Sequence, residues 1–293
     1  MQNIKMYCLC LHEKSLNIMK DLGYIPVGLG KENFSSEWLR DNTLKNISNK
    51  NQNYGEYTFH YWFWKNALPK IEDNQWIGFC AHRDYWSKSD KIKNNPNFKT
   101  NYQNVPNLLT HDEPLSNYVL KKAPDLWDSY DAIIGDHMFI NNLKLSKLIK
   151  HGMISLVRNP AAIFKSKRSI RFHFDMWHGN GNLDKAIDLL EDKDREDFRL
   201  FTKTQVSFCR GNMFICRSKK IINDFYSSIF PWLENCEKVF GFNKEKYGLS
   251  RIYAFLGERY LSYWFTKYTK SLLWPVFFYD IQKSLEKLNE YKN

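Results

Sequence analysis

Three stretches of the chain place acids, bases and cations where chemistry could occur. Trp76 to Cys80 is a short apolar run, and His82, Arg83 and Asp84 follow it almost at once. Asp131 to Ile134 is a second such run, followed by Gly135, Asp136 and His137. Glu258 sits between Gly257 and Arg259, inside the aromatic-rich stretch Tyr247 to Lys267. Short apolar runs bounded by polar residues suit buried strands. In open α/β sheets, ligands bind beyond the carboxyl ends of strands. A base, a cation and a carboxylate at such an end suit proton transfer beside an anion. A salt-bridged loop is the other reading of His82-Arg83-Asp84. For Glu258, the other reading is an ion pair with Arg251 or with a neighbour of Arg259.

The segment ahead of the first run is as informative. Glu56 to Leu68 has no Gly or Pro, and aromatics cover most of its faces. Glu56, His60, Phe63 and Asn66 share one helical stripe, and Tyr54, Thr58, Tyr61 and Lys65 the next. Such a helix is expected inside the protein, with its polar residues partnered. A buried Lys65 would then need an anion. Lys31 to Asn53, just upstream, is polar and reads as a long loop. Asp41, Asn42, Ser48 and Asn51 there could hydrogen-bond a ribose or a sugar, or could be solvated.

Several of these residues carry a resemblance. Ile47-Ser48 with Lys50-Asn51, Tyr54-Gly55-Glu56-Tyr57-Thr58, Tyr61-Trp62-Phe63-Trp64-Lys65-Asn66 and Ile77-Gly78-Phe79-Cys80, with Arg83 and Tyr85, form an ordered series. The series resembles a family of bacterial capsular and exopolysaccharide glycosyltransferases catalogued as domain of unknown function 4422. The resemblance resumes at Gly211-Asn212-Met213-Phe214-Ile215 and from Arg251 to Trp264, and so covers most of the chain. The family carries Glu-Leu-Thr where this chain has Glu56-Tyr57-Thr58. It carries His-Tyr-Arg-Arg-Tyr where this chain has Ala81-His82-Arg83-Asp84-Tyr85.

Composition bounds the alternatives. The chain has 293 residues, a net charge of +11, 43% hydrophobic and 16% aromatic residues. The charge implies an anionic partner: a nucleotide-diphosphate substrate, an anionic membrane or nucleic acid. Basic charge among Trp, Tyr and Phe suits single-stranded nucleic acid. Here the aromatics fall at core spacing and the lysines are scattered, which disfavours it. The six cysteines show no paired zinc spacing, and four lie in apolar runs, as in a reduced cytosolic protein. No signal peptide opens the sequence, and Leu272 to Tyr279 is too short to span a bilayer. The Tyr, Trp, Phe and Lys of Tyr260 to Tyr279 suit either the core or docking at an anionic interface.

The elements that must position these groups follow from patterning. Ile4 to Cys10, Tyr24 to Leu29 and Met153 to Val157 read as strands. Lys14 to Asp21, Pro114 to Lys122 and Asn142 to Lys150 read as helices, and Ser87 to Asn107 as a surface loop. Ser169 to Trp177 and Leu183 to Leu190 are predicted helices around a His178-Gly179 turn. Lys219 to Phe230 is a helix that Pro231 should stop. Tyr247 to Lys267 is a long helix, Ser271 to Tyr279 a strand or hairpin arm, and Ile281 to Tyr291 a final helix. Residues 1–160 thus read as an α/β half and residues 161–293 as a mostly helical half of one continuous domain.

Sugar transfer from a nucleotide sugar needs a cation or metal at the diphosphate, a base at the acceptor and polar groups to align them. The resemblance implies a GT-A-like α/β fold with a nucleotide-sugar-binding half and a helical acceptor half. The candidate catalytic residues are Glu258, Asp136 and Asp84. Donor candidates are Asp41, Ser48, Asn51, Glu56, Lys65, Asn66, His82 and Arg83. Acceptor candidates are His178, Asn212 and Arg251. No Asp-x-Asp follows a strand, so a magnesium or manganese ion would rest on Asp84 with His82. The expected partners are a nucleotide-sugar donor, UDP-galactofuranose among those the resemblance implies, and a lipid-linked or oligosaccharide acceptor. The expected place is the cytoplasm, at the inner face of the cytoplasmic membrane. A nucleic-acid-binding module and a non-catalytic partner in polysaccharide assembly are the competing classes.

Overall fold

The strand Gln2–Cys10 alternates between two cores. Tyr7 and Leu9 enter one, and Met6, Cys8 and Cys10 the other. A strand apolar on both faces belongs to a sheet covered on both sides. The structure, a computed structural model, describes residues 2–110, 113–242, 245–281 and 283. Trp76–Ala81 lies parallel to Gln2–Cys10, from Ile4 opposite Trp76 to Leu9 opposite Ala81. Ile25–Gly28 and then Leu39–Arg40 extend the sheet in parallel on one side. On the other, Phe214–Cys216 is antiparallel to Trp76–Ala81, and Ala132–Gly135 antiparallel to Phe214–Cys216. Ala132–Gly135 therefore runs the same way as Trp76–Ala81. Ser271–Trp274 pairs in parallel with it at the margin. A tight reversal at Ala81 and Asp84 starts the strand Asp84–Trp86, which leads on to Val276–Phe278, Pro106–Leu108 and Phe98–Thr100. With Lys122–Ala123, the sheet has twelve strands among the described residues.

The fold is α/β, as the patterning predicts. The helices Tyr57–Trp62, Lys219–Phe240 and Ile252–Tyr268 cover the face that holds Tyr7 and Phe79. The described residues from 161 onward are largely helical, yet they supply Phe214–Cys216, Ser271–Trp274 and Val276–Phe278 to the same sheet. All six cysteines are free and buried.

Several local expectations fail for identifiable reasons. Pro231 does not end its helix, which runs on to Phe240. A proline inside a helix costs about 3 kcal/mol. Burying Leu233 and Phe240 alone returns roughly 3–6 kcal/mol. Met153 to Val157 is no strand but the end of the helix Leu145–Arg158, with non-helical backbone at Gly152. Pro114 to Lys122 forms only the single turn Leu115–Asn117 before Lys122–Ala123. Ser87 to Asn107 contributes the strand Phe98–Thr100 and part of another. The aromatics of Tyr260 to Tyr279 are mostly core: Tyr260, Tyr263, Trp264, Phe265, Trp274, Phe277 and Tyr279 are buried, so they present no docking face. Most of the predicted helix Ile281 to Tyr291 lies outside the described residues.

Candidate active site

Asp84 pairs in register with Ala81 on one side and Phe278 on the other. It therefore stands at the carboxyl ends of Gln2–Cys10 and Trp76–Ala81, where open α/β sheets bind ligands. Two backbone bonds fix this corner. The His82 N–H donates to the Leu9 carbonyl at 3.0 Å, and the Tyr279 N–H to the Arg83 carbonyl at 2.9 Å. Arg210, just after the strand Ser207–Cys209, brings Nη2 to 2.8 Å from Asp84 Oδ1. That oxygen is buried and has no well-aligned hydrogen bond. Burial pushes the Asp84 carboxyl up, Arg210 draws it back, and Glu258 and Glu56 push it up further.

Glu258 comes from the helix Ile252–Tyr268 and is only 14% exposed. Oε1 accepts the Gly211 N–H at 2.7 Å, and Oε2 faces the Arg259 guanidinium. Arg259 is buried over the Phe208 ring, 4.2 Å from its centroid. The ion-pair partner of Glu258 is thus Arg259 itself, while Arg251 lies 3.8 Å from Glu56. Gly257 makes this approach possible. A Cβ there would enter the Tyr57 ring, so only glycine lets the two helices close. Gly211 holds φ at +76°, the left-handed region that suits glycine, and turns Asn212 inward.

Glu56 directly precedes the helix Tyr57–Trp62, and its Oε2 accepts from Asn212 Nδ2 at 3.3 Å. The Asn212 carbonyl can only accept, so His60 Nε2 carries the proton in their 2.9 Å bond. His60 Nδ1 then accepts from the Tyr226 hydroxyl at 2.8 Å. Burial pushes His60 down to about 4, so its ring is neutral at pH 7. Asn212 Oδ1 is buried without a partner. His82 is likewise pushed down to about 4, by burial and then by Arg83. Its ring meets His12 edge-on, with centroids 6.2 Å apart. Glu56, Asp84 and Glu258 thus converge with Arg83, Arg210, Arg251 and Arg259.

A second polar cluster lies at the end of Leu39–Arg40. Asp41 is 1% exposed, and burial pushes its carboxyl up. Thr58, which also accepts from Asn51 Nδ2 at 3.1 Å, offsets part of that rise. Asp41 Oδ2 has no partner. Ser48 turns to Asn46 Oδ1 at 2.9 Å and shapes the loop.

Other candidates stand apart. Lys65 is half-buried, and its Nζ lies over the Trp64 ring. It sits in the π-helical segment Phe63–Ala67, at the opposite end of this helix from Glu56, about 13 Å along the axis. Asn66 holds the backbone of Lys45 and Trp62. The structure does not bring either to Arg83. His178 is buried, bonded to the Gly248 carbonyl at 2.9 Å and stacked on Phe255. Burial, then Arg259, pushes it down to about 3. Asp136 follows Ala132–Gly135 at the same end of the sheet, and burial raises its carboxyl. Sequence patterning does not mark Arg210 or His12, though Arg210 directly precedes the Gly211-Asn212 pair. It marks His60 only as a polar residue on a buried helical stripe, which its two hydrogen bonds match.

Among the described residues no three His, Cys, Asp or Glu side chains gather as a metal-ligand set. Asp84, the expected ligand, already faces Arg210. The guanidinium groups supply the positive charge of this corner. A cleft of about 970 Å³ lies elsewhere, lined by Ser87, Lys122 and Trp274 among others. Most of the Trp, Tyr and Phe side chains are buried, so they offer little platform for stacked bases.

The chain superposes on WbbM, described as a bifunctional glycosyltransferase and solved in its apo form, with a TM-score of 0.66 and 20% identity. The match covers 95% of this chain and 46% of that one, so the chain spans about half the length of that protein. At this identity the likeness establishes the shared fold. No curated protein matches the chain. A family model described as a domain of unknown function, DUF4422, matches residues 5–270. The chain belongs to the DUF4422 family.

Proposed function

We propose that the chain is a glycosyltransferase of GT-A-like architecture, with its active site at the corner of Asp84, Glu56 and Glu258. The observation that carries this reading is Asp84 itself. It is a largely buried carboxylate at a strand end, ion-paired through Oδ1 with Arg210 and close to Glu258, Glu56 and Arg83. A nucleotide-sugar donor places its diphosphate among Arg83, Arg210 and Arg251. Asp41 and Asn51 line the donor side, and Asn212 Oδ1 is free to hold a sugar hydroxyl.

In this reading the acceptor hydroxyl gives its proton to Asp84 as its oxygen attacks the anomeric carbon. The bond from that carbon to the diphosphate oxygen breaks, and the electron pair leaves with the diphosphate. The arginines meet the charge that develops there. A single displacement inverts the anomeric centre. Glu258 positions the Gly211-Asn212 turn, and Asp136 stands in reserve at the same sheet end. A magnesium or manganese ion at the diphosphate would need Asp84 to turn from Arg210. The donor is a nucleoside-diphosphate sugar, of UDP-galactofuranose type by the family resemblance. The acceptor is a growing capsular or surface glycan at the cytoplasmic side of the membrane.

A thermal-shift screen with nucleoside diphosphates and nucleotide sugars tests the class. One nucleotide raises the melting temperature in a transferase. Stabilisation by oligonucleotides alone, or by neither, contradicts the reading.

A further inference from the structure

The helix Leu145–Arg158 packs only one side. Leu148, Gly152 and Ser155 face inward, whereas Leu145, Ile149, Met153 and Val157 are 50–76% exposed. Phe164, on the following turn, is 67% exposed. Isolated exposed apolar residues are ordinary, but a contiguous set marks an interaction surface.

The charge along this segment of the chain has one sign. Residues 137–174 contain eight lysines and arginines and no aspartate or glutamate. A cleft of about 630 Å³ opens beside the helix end, lined by Arg158, Lys167, Arg171 and Lys203 with Asp175 as its carboxylate. An apolar face rimmed by cations suits the boundary between headgroups and acyl chains of an anionic bilayer. A second copy of the chain fits less well, because a self-paired face would oppose its own cations.

We propose that this face docks on an anionic phospholipid membrane, its apolar side chains entering the acyl boundary and Arg158 and Lys167 holding a headgroup phosphate. The surface stands one helix away from the candidate active site. Gly152 packs against Met176 of the helix Ile170–His178, and His173 of that helix lies 3.5 Å from Arg259, the partner of Glu258. Docking deepens the transferase reading by delivering the acceptor on a lipid. It does not depend on that reading for its test, because membrane binding needs no donor.

The test is flotation of the purified chain with vesicles of phosphatidylcholine alone and of phosphatidylcholine mixed with phosphatidylglycerol, at low and moderate salt. The chain floats with the anionic vesicles and loses binding as salt rises. The double variant Arg158→Glu, Lys167→Glu lowers partitioning by tenfold or more, on the order of fivefold per charge removed. Met153→Ser with Val157→Ser lowers it too, and circular dichroism confirms that both variants fold. No flotation at low salt overturns the proposal, as does flotation that neither variant weakens. So does a dimer, seen by sedimentation velocity, that the serine variant dissociates while vesicles stay unbound.

Discussion

Arg210 and Asp84 meet at 2.8 Å, although one follows the strand Ser207–Cys209 and the other opens Asp84–Trp86. The contact joins the two halves of the chain at the edge where ligands are expected. It also sets the protonation of Asp84, because Arg210 is the largest influence opposing the rise that burial causes. Arg210→Met removes that cation and moves the Asp84 carboxyl higher. If Asp84 is the base, the acidic limb of the kcat profile shifts to higher pH, and nucleoside-diphosphate affinity falls by about tenfold or more. Calorimetry and a pH–rate series check the two effects separately.

Glu258→Gln leaves an acceptor for the Gly211 N–H but strands the buried Arg259 charge. Breaking a buried pair on one side costs on the order of 3–5 kcal/mol. Chemical denaturation should therefore show a large loss of stability. Because Glu258 is read as a positioning residue, the folded fraction keeps nucleotide binding and loses turnover only partly. A loss of turnover as deep as that expected for Asp84→Asn would instead make Glu258 the base.

Gly257→Ala tests the helix contact that sets the site. The added methyl meets the Tyr57 ring at a distance that no real Cβ adopts. Overpacking of this kind costs about 1–3 kcal/mol. The melting temperature falls, and Tyr57→Leu in the same chain restores part of it by opening space. An unchanged melting temperature for Gly257→Ala contradicts the close approach.

His60 gives the fold a pH dependence of known sign. Its pKa is near 4 in the folded state against 6.5 for the free side chain. Its contribution is complete above pH 6.5 and is lost as pH falls toward 4. Asp41, Asp84 and Asp136 have raised pKa values and act the other way, losing stability as pH rises above 3.8. A comparison of wild type with His60→Asn cancels their effect. The stability difference should shrink by up to roughly 3 kcal/mol between pH 6.5 and 4. A constant difference would mean that His60 is not buried neutral.

Much of the candidate site was legible in the sequence because its parts follow short apolar runs. Trp76 to Cys80 pointed to His82, Arg83 and Asp84, and Gly211-Asn212 and Glu258 stood out beside apolar stretches. What could not be read was which distant segments meet. Nothing local says that Arg210 reaches Asp84, or that Asn212 bonds Glu56, since strand pairing decides both. Lys65 looked buried because its helix is aromatic on most faces, but the segment widens into a π-turn and leaves it half exposed. The helix through Pro231 was hidden for a similar reason, since the burial that sustains it comes from other elements.

The most direct measurement is glycosyl transfer by wild type and by Asp84→Asn. Both are given the nucleotide sugar that stabilises the protein in the thermal-shift screen and a glycan acceptor. Asn keeps the shape and removes the base. Wild type should release nucleoside diphosphate in step with new glycosidic product. Asp84→Asn should bind the nucleotide and fold, yet turn over about 10²–10⁴-fold more slowly. Transfer by Asp84→Asn at close to the wild-type rate would contradict the account.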